Sequence, residues 1–176
     1  MPHNTYTSAD ELLQVADRRK LPLTPLTPFP SGEAPDGGEA AERLELTYSE
    51  SKSFTYKVVY EFVAGEYRRY INGKEHCDKA TGQQLAAGCV VVLEVPQRSV
   101  VDSKGVLISE VELIGQGNAL FCRDGQVFRG TWRKGKPQEH FSFTYQGETM
   151  PLSEEGPIWI QVVASLKNVS SMAGEK

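Results

Sequence analysis

Three cysteines, three histidines and no Cys-x-x-Cys pair leave this 176-residue sequence poor in the residues that hold metals or disulfide frameworks. An odd set at positions 77, 89 and 122 excludes a disulfide scaffold that uses every cysteine. Cys89 and Cys122 sit inside apolar runs and read as small core residues, whereas Cys77 lies in a polar loop. No apolar run approaches the ~20 residues that a membrane-spanning helix needs. The longest, Ala86 to Leu93, has the length of one buried strand. Met1-Pro-His-Asn-Thr-Tyr6 has neither the charged nor the apolar region of a secretion signal. Charge of one sign is lacking too. Nineteen Lys and Arg against 23 Asp and Glu give −4, so a concentrated positive face for nucleic acid is not expected. Arg18-Arg19-Lys20 and Arg133-Lys134 read as solvated element ends.

Proline is abundant, and in one place. Pro22, Pro25, Pro28, Pro30 and Pro35, with Gly32, Gly37 and Gly38, forbid a helix or central strand over 21–42 and make it an extended connector. Leu21, Leu23, Leu26 and Phe29 place its first half against a surface, and the second half, Ser31 to Ala41, reads as mobile. Before it, Ser8 and Glu11 have the spacing of a capping box, predicting a helix that ends near Arg19-Lys20 with an apolar stripe of Leu12, Val15 and Ala16. From Leu44 the pattern changes to short strands and turns, with Gly88 to Val95 as a central strand stopped by Pro96. Asp124-Gly125 suits a type I′ hairpin that sets Phe121 opposite Phe128 and Ala119 opposite Gly130, with Trp132 on the same face. Further strands are expected at Glu139 to Tyr145, Glu148 to Leu152 and Pro157 to Val163. The fold class is therefore α+β: one N-terminal helix, a Pro-rich connector, then a mainly antiparallel β-domain. The boundaries are residues 1–42, 43–164 and a polar, disordered tail, 165–176.

The densest polar stretch is Tyr67 to Gly82. Val58–Val63 and Glu66–Ile71 flank Ala64-Gly65, a two-residue connection that sets Phe62 opposite Tyr67, Tyr60 opposite Arg69 and Val58 opposite Ile71. Those six share one face, so Arg69 is a cation among aromatic and aliphatic side chains. A guanidinium there needs a carboxylate or carbonyls. Asp78 is the candidate carboxylate in the following loop, with His76 close by. Two readings stay open: an Arg69–Asp78 ion pair that staples the 72–82 loop to the sheet, or an arginine that waits for an anion. We favour the staple, with the loop it positions as the binding surface.

Other motifs carry less. Gly115-Gln-Gly117 leads into a strand rather than a helix, so the amide cradle of a phosphate loop is missing. His76-x-Asp78 puts two possible metal ligands on one face, but neither His3 nor His140 has ligand spacing. Cys77 and His76 are adjacent in extended chain and point apart, which is poor geometry for proton transfer. Asn168-Val-Ser170 matches a glycosylation sequon by chance. Neither a catalytic residue, a metal nor a cofactor is expected.

Taken in order, several stretches are specific together. Pro2-His-Asn-Thr-Tyr-Thr-Ser8 is followed by Tyr67-x-Arg69-x-x-Asn72-Gly73-Lys74-x-His76-x-Asp78-x-x-Thr81-Gly82. Phe121-x-Arg123-Asp124-Gly125, Gly130-Thr-Trp132 and Gly156-Pro-x-Trp159-Ile complete the set. With these, the sequence resembles the YerB-like family of bacterial lipoproteins of unknown function along almost its whole length. It departs from the family at Glu75, where Pro is usual, at Cys89, where Asn is usual, and at Cys122. The resemblance implies a lipid-anchored, extracytoplasmic protein with a preceding α/β domain, and neither signal nor domain is in this sequence. That upstream domain is the expected partner, with His3, Asn4 and Tyr6 bridging to it, alongside a ligand or protein of the cell envelope. The implied binding residues are Arg69, Asn72, His76, Asp78 and Arg123. The expected function is a non-catalytic binding or interaction module. The alternative is an envelope enzyme whose active site is shared with the upstream domain.

Overall fold

A computed structural model describes residues 7–21, 28–50, 54–153 and 156–174. His3, Asn4 and Tyr6, with the connector's Pro22, Leu23, Pro25 and Leu26, lie outside the described residues. Helix α1 (Ala9–Arg18) starts at the predicted capping box: Ser8 Oγ accepts the Glu11 N–H at 3.2 Å, and Glu11 Oε2 accepts the Ser8 N–H at 3.2 Å. Only part of its apolar stripe is used, since Ala16 is buried while Leu12 and Leu13 are exposed.

The remainder is β-structure. In chain order come β1 (Glu39–Ala40), β2 (Arg43–Glu50), β3 (Thr55–Val63), β4 (Glu66–Ile71), β5 (Lys74–Glu75) and β6 (Ala86–Ala87). Then follow β7 (Cys89–Glu94), β8 (Gln97–Val101), β9 (Leu107–Val111), β10 (Gly115–Arg123) and β11 (Gln126–Lys134). Last are β12 (Ser142–Tyr145), β13 (Glu148–Thr149), β14 (Ile158–Val163) and β15 (Val169–Met172). With a single α-helix among the described residues, the chain is mostly β.

Two sheets make the body. The first runs β13-β12-β11-β10-β7-β14, with β1 on β11, and all its pairings are antiparallel except β7–β14. The second runs β15-β2-β3-β4-β5, with β6 on β4. Between them lie Leu44, Leu46, Val58, Tyr60 and Tyr67 from one sheet and Val90, Val92, Leu120, Cys122 and Val127 from the other. The opposite face of the first sheet is also buried: Cys89, Val91, Leu93, Ala119, Phe121, Phe128 and Trp132 form a second core. Strand β7 is covered on both faces, which is why its sequence is apolar without alternation.

The hairpin registers are those expected. Phe62 pairs with Tyr67, Tyr60 with Arg69 and Val58 with Ile71. Phe121 pairs with Phe128 and Ala119 with Gly130. Asp124 and Gly125 both have positive φ, 52° and 69°, as a type I′ turn requires. Gly130 is needed for close approach, because a Cβ there would fall 2.0 Å from the Thr144 carbonyl oxygen on β12. The predicted strand from Glu139 begins later, at Ser142, because Glu139 folds its carboxylate onto the Gly135 N–H at 3.1 Å.

Two segments differ from expectation. The stretch 31–41, read as mobile, is fastened to the body. Ser31 bridges Leu152, β1 pairs with β11, and the fully buried Ala41 donates its N–H to the Gly125 carbonyl at 2.7 Å. Proline and glycine exclude a helix but not edge pairing, and Gly38 lets the backbone pass within reach of Phe128, where a Cβ would sit 2.6 Å from the ring. The tail is not disordered over 166–172 either. Leu166 donates its N–H to Glu94 Oε1 at 2.8 Å, and β15 adds an edge strand to β2. Leu166 and Val169 supply the apolar contacts that hold it to the first core.

Trp132 is 1% exposed, and its Nε1–H donates to the Glu94 carbonyl at 2.9 Å. Trp132→Ala empties a packed site and leaves that carbonyl unpaired, so a loss of ~3–5 kcal/mol is expected in urea denaturation. A change below ~1 kcal/mol would contradict the core assignment.

Candidate functional site

Arg69 lies in β4 opposite Tyr60, on the face that packs against the first sheet, and is only 5% exposed. Its Nε donates to the Tyr60 hydroxyl at 3.1 Å, and Nη1 hydrogen-bonds His76 Nδ1. The guanidinium lies over the Trp159 ring, 4.7 Å from the centroid, and 5.8 Å from that of Tyr60. Among the described residues no carboxylate pairs with it. Aromatic faces, a hydroxyl and an imidazole therefore stand where a counter-ion would be expected.

The Tyr60 oxygen accepts a second bond, from Gln161 Nε2 at 2.6 Å, and Gln161 Oε1 in turn accepts the Tyr48 hydroxyl at 2.6 Å. Gln161 belongs to β14, so this chain of hydrogen bonds crosses from one sheet to the other. Burial pushes the Tyr48 phenol up to about 12, with Tyr56 adding to the rise and Arg69 opposing it. Burial also raises Tyr60, against the pull of Arg69. Both remain neutral phenols. A guanidinium can only donate, so His76 Nδ1 is the acceptor and the ring proton sits on Nε2. Partial burial, and then the Arg69 charge, lower the His76 pKa below its ordinary 6.5.

The backbone of Arg69 organises the following loop. Its N–H donates to the Leu85 carbonyl at 2.9 Å, its carbonyl accepts the His76 N–H at 3.0 Å, and the Leu85 N–H donates to the His76 carbonyl at 2.8 Å. Gln84 Nε2 also reaches the Arg69 carbonyl, at 3.0 Å. Residues 72–87 thus fold back along the edge of β4, through β5 and β6.

Of the five candidate residues, the structure brings together Arg69 and His76. Asn72 sits at the Asn72-Gly73 turn with φ 49°; its side chain accepts the Lys57 N–H and donates to the Thr55 carbonyl, each at 2.8 Å, tying the hairpin to the start of β3. Asp78 does not pair with Arg69, which corrects the predicted ion pair. Its Oδ1 accepts from Ala80 N, Thr81 N and Thr81 Oγ1 at 3.0, 2.8 and 3.0 Å, closing its own turn. A short side chain followed by backbone donors two and three residues on satisfies itself locally before it can reach across the strand. Those Thr81 bonds also lower its pKa. Arg123 is at the other hairpin, where it bonds Asp124 at 2.7 Å and the Gly32 and Pro151 carbonyls at 2.9 Å each. It fastens the connector.

Tyr60, Trp159, Gln161 and Tyr48 are the participants that the candidate set lacked. Gln161 is the lone polar side chain in the apolar run Pro157 to Val163, two residues from Trp159 and so on its face, a signal available in the sequence. Among the described residues no three His, Cys, Asp or Glu side chains gather as a metal site. Burial raises the Cys89 thiol to about 11 and raises Cys122 further, which makes both unreactive at neutral pH.

The sequence signature of a protein of unknown function (DUF3048), C-terminal domain, matches residues 44–160. The chain belongs to this family. It is 24% identical to Putative lipoprotein YerB of Bacillus subtilis (strain 168), over 99% of this chain and 52% of that protein. The crystal structure of the YerB protein from Bacillus subtilis shares its fold with a TM-score of 0.77 at 23% identity, over 96% of this chain and 55% of that one. The chain therefore spans about half the length of the relatives it matches. No helix among the described residues is long and apolar enough to cross a membrane.

Two outcomes follow from this geometry. The loop's backbone bonds survive a side-chain change, and no carboxylate is orphaned, so Arg69→Met is expected to stay within ~1 kcal/mol of the wild type. Asp78→Asn should then add independently, within ~0.5 kcal/mol, in a double-mutant cycle of thermal melts. The second concerns acid. A native pKa below 6.5 means that the unfolded chain binds more protons in the window beneath 6.5. The His76 contribution is full above 6.5 and declines as pH falls from there toward the lowered native value. His76→Gln should flatten that decline in urea midpoints measured between about pH 7 and pH 5.

Proposed function

We propose that this chain is a non-catalytic binding domain of a YerB-like cell-envelope lipoprotein, with the Arg69-clasped loop 72–87 as its contact surface. The observation that carries this is the loop itself. Four hydrogen bonds to Arg69, His76 and Leu85 fix its backbone while Lys74, Glu75, Lys79, Thr81 and Gln83 face solvent. A polar surface held rigid before contact loses less entropy on binding than a floppy one.

The relatives' names and double length support the wider setting. In that setting residues 1–42 lead from a preceding α/β domain, 43–164 form the β-domain, and a lipid anchor upstream holds the protein outside the cytoplasm. Co-sedimentation with purified bacterial cell walls tests the binding role. The wild-type domain should pellet with the walls, and the combined Lys74→Ala, Lys79→Ala, Gln83→Ala variant should lose at least about tenfold in affinity. A wild-type domain that stays in the supernatant, or a variant that pellets equally, would defeat the proposal.

A further inference from the structure

We infer that Arg69, His76 and Trp159 form a subsite for an oxyanion, a carboxylate or phosphate group carried by the ligand. This rests on the reading of the domain as a binding module and names the chemistry that it takes. Arg69 is 95% buried, taken from its 5% exposure, yet its charge meets no carboxylate among the described residues. Nε is used on Tyr60 and Nη1 on His76, which leaves Nη2 without an acceptor among the described residues. Among the described residues every fully buried side-chain nitrogen or oxygen has a partner, so Nη2 must meet solvent at the rim of the cluster. His76 contributes a second open donor. Its Nδ1 is occupied by Arg69, so the proton is on Nε2, and Nε2 has no acceptor among the described residues.

The electrostatics favour an anion. A guanidinium between the Trp159 and Tyr60 rings keeps its charge, because arginine does not give up its proton in proteins. Its low-dielectric surroundings strengthen attraction for any anion that reaches the rim. The two open donors, Arg69 Nη2 and His76 Nε2–H, suit a group that carries two or more oxygens, which distinguishes carboxylates and phosphates from a bare halide. Partly exposed Trp159, Tyr56 and Tyr48 stand beside it, linked to the cation by the ring contact and by the Gln161–Tyr60 bonds. They offer an apolar wall to the body of a ligand whose charged end sits on Arg69.

The test uses the full chain and two probes, inorganic phosphate and acetate, titrated at constant ionic strength set with sodium chloride. Three histidines and two tryptophans make the ring and indole N–H signals countable by NMR. Saturable movement of the His76 ring and Trp159 indole signals is expected at concentrations on the order of millimolar. The Trp132 indole and His140 should stay still, and Arg69→Met should abolish the movement while the thermal melt is retained. Should Arg69→Met unfold, Arg69→Lys carries the test: it keeps a positive charge but loses the open Nη2 donor, and should weaken binding at least about fivefold. Tighter binding of phosphate identifies a phosphate-bearing ligand, and tighter binding of acetate a carboxylate-bearing one. Shifts that neither probe produces beyond chloride, or that persist in the arginine variants, would overturn the subsite. Cell walls that bind a domain blind to both anions would remove the subsite and leave the loop reading standing. Anion binding without wall binding would do the reverse.

Discussion

A β-sheet with two apolar faces has to be covered twice, and most of the architecture answers that requirement. Strand β7 places Val90 and Val92 toward one core and Cys89, Val91 and Leu93 toward the other. The second sheet covers the first side. The other side is left to segments that look poorly suited to it: the proline-rich connector with Phe29 and Ala34, and the stretch with Met150 and Leu152. Arg123 gathers both, since its Nη1 accepts no proton and instead donates to a carbonyl of each, Gly32 and Pro151. A buried cation satisfied by carbonyls and one neighbouring carboxylate thus closes the outer layer.

Arg69 solves a different problem at the opposite core. Where Arg123 holds Asp124, Arg69 has, among the described residues, Tyr60, His76 and two aromatic faces. The Tyr60 hydroxyl that receives it is shared with Gln161 from the facing sheet, so the polar cluster doubles as a tie between layers. Aromatic contact offsets part of the cost of an unpaired cation, but it does not neutralise the charge. The two arginines show how similar burial, 5% exposed in each case, fastens outer segments in one place and ties two sheets and a loop together in the other.

What could be read from the sequence was what local chemistry decides. The Ala64-Gly65 and Asp124-Gly125 turns set register because a two-residue connection leaves the strands no freedom to slide, and the capping box closes within one helical turn. The position of Arg69 on an apolar face followed directly from that register. Its partner did not. Asp78 was the carboxylate expected from the following loop, but its own backbone donors at Ala80 and Thr81 satisfy it, and His76 took its place. The connector and the tail were misread for a related reason. Proline content and polar composition report what a segment cannot form by itself, whereas β1 and β15 exist because of distant edges on β11 and β2. Gln161 could have been noticed as a polar interruption in an apolar strand, but its acceptor and donor come from the other sheet.

The coupling between the tie and the loop is the remaining step. His76 is both a backbone partner of Arg69, through its N–H, and the side-chain acceptor of the same residue's Nη1. That double link divides the clasp into a backbone half and a side-chain half, and the side-chain half depends on the imidazole staying neutral. Protonating the ring removes the acceptor and sets two cations side by side, so the side-chain half of the clasp fails while the backbone half persists. An anion at the rim would have the opposite effect, since it would accept from Arg69 Nη2 and His76 Nε2–H and so set a negative charge beside both. The backbone bonds hold the loop in the free domain, and an anion at the rim would add to that order rather than create it.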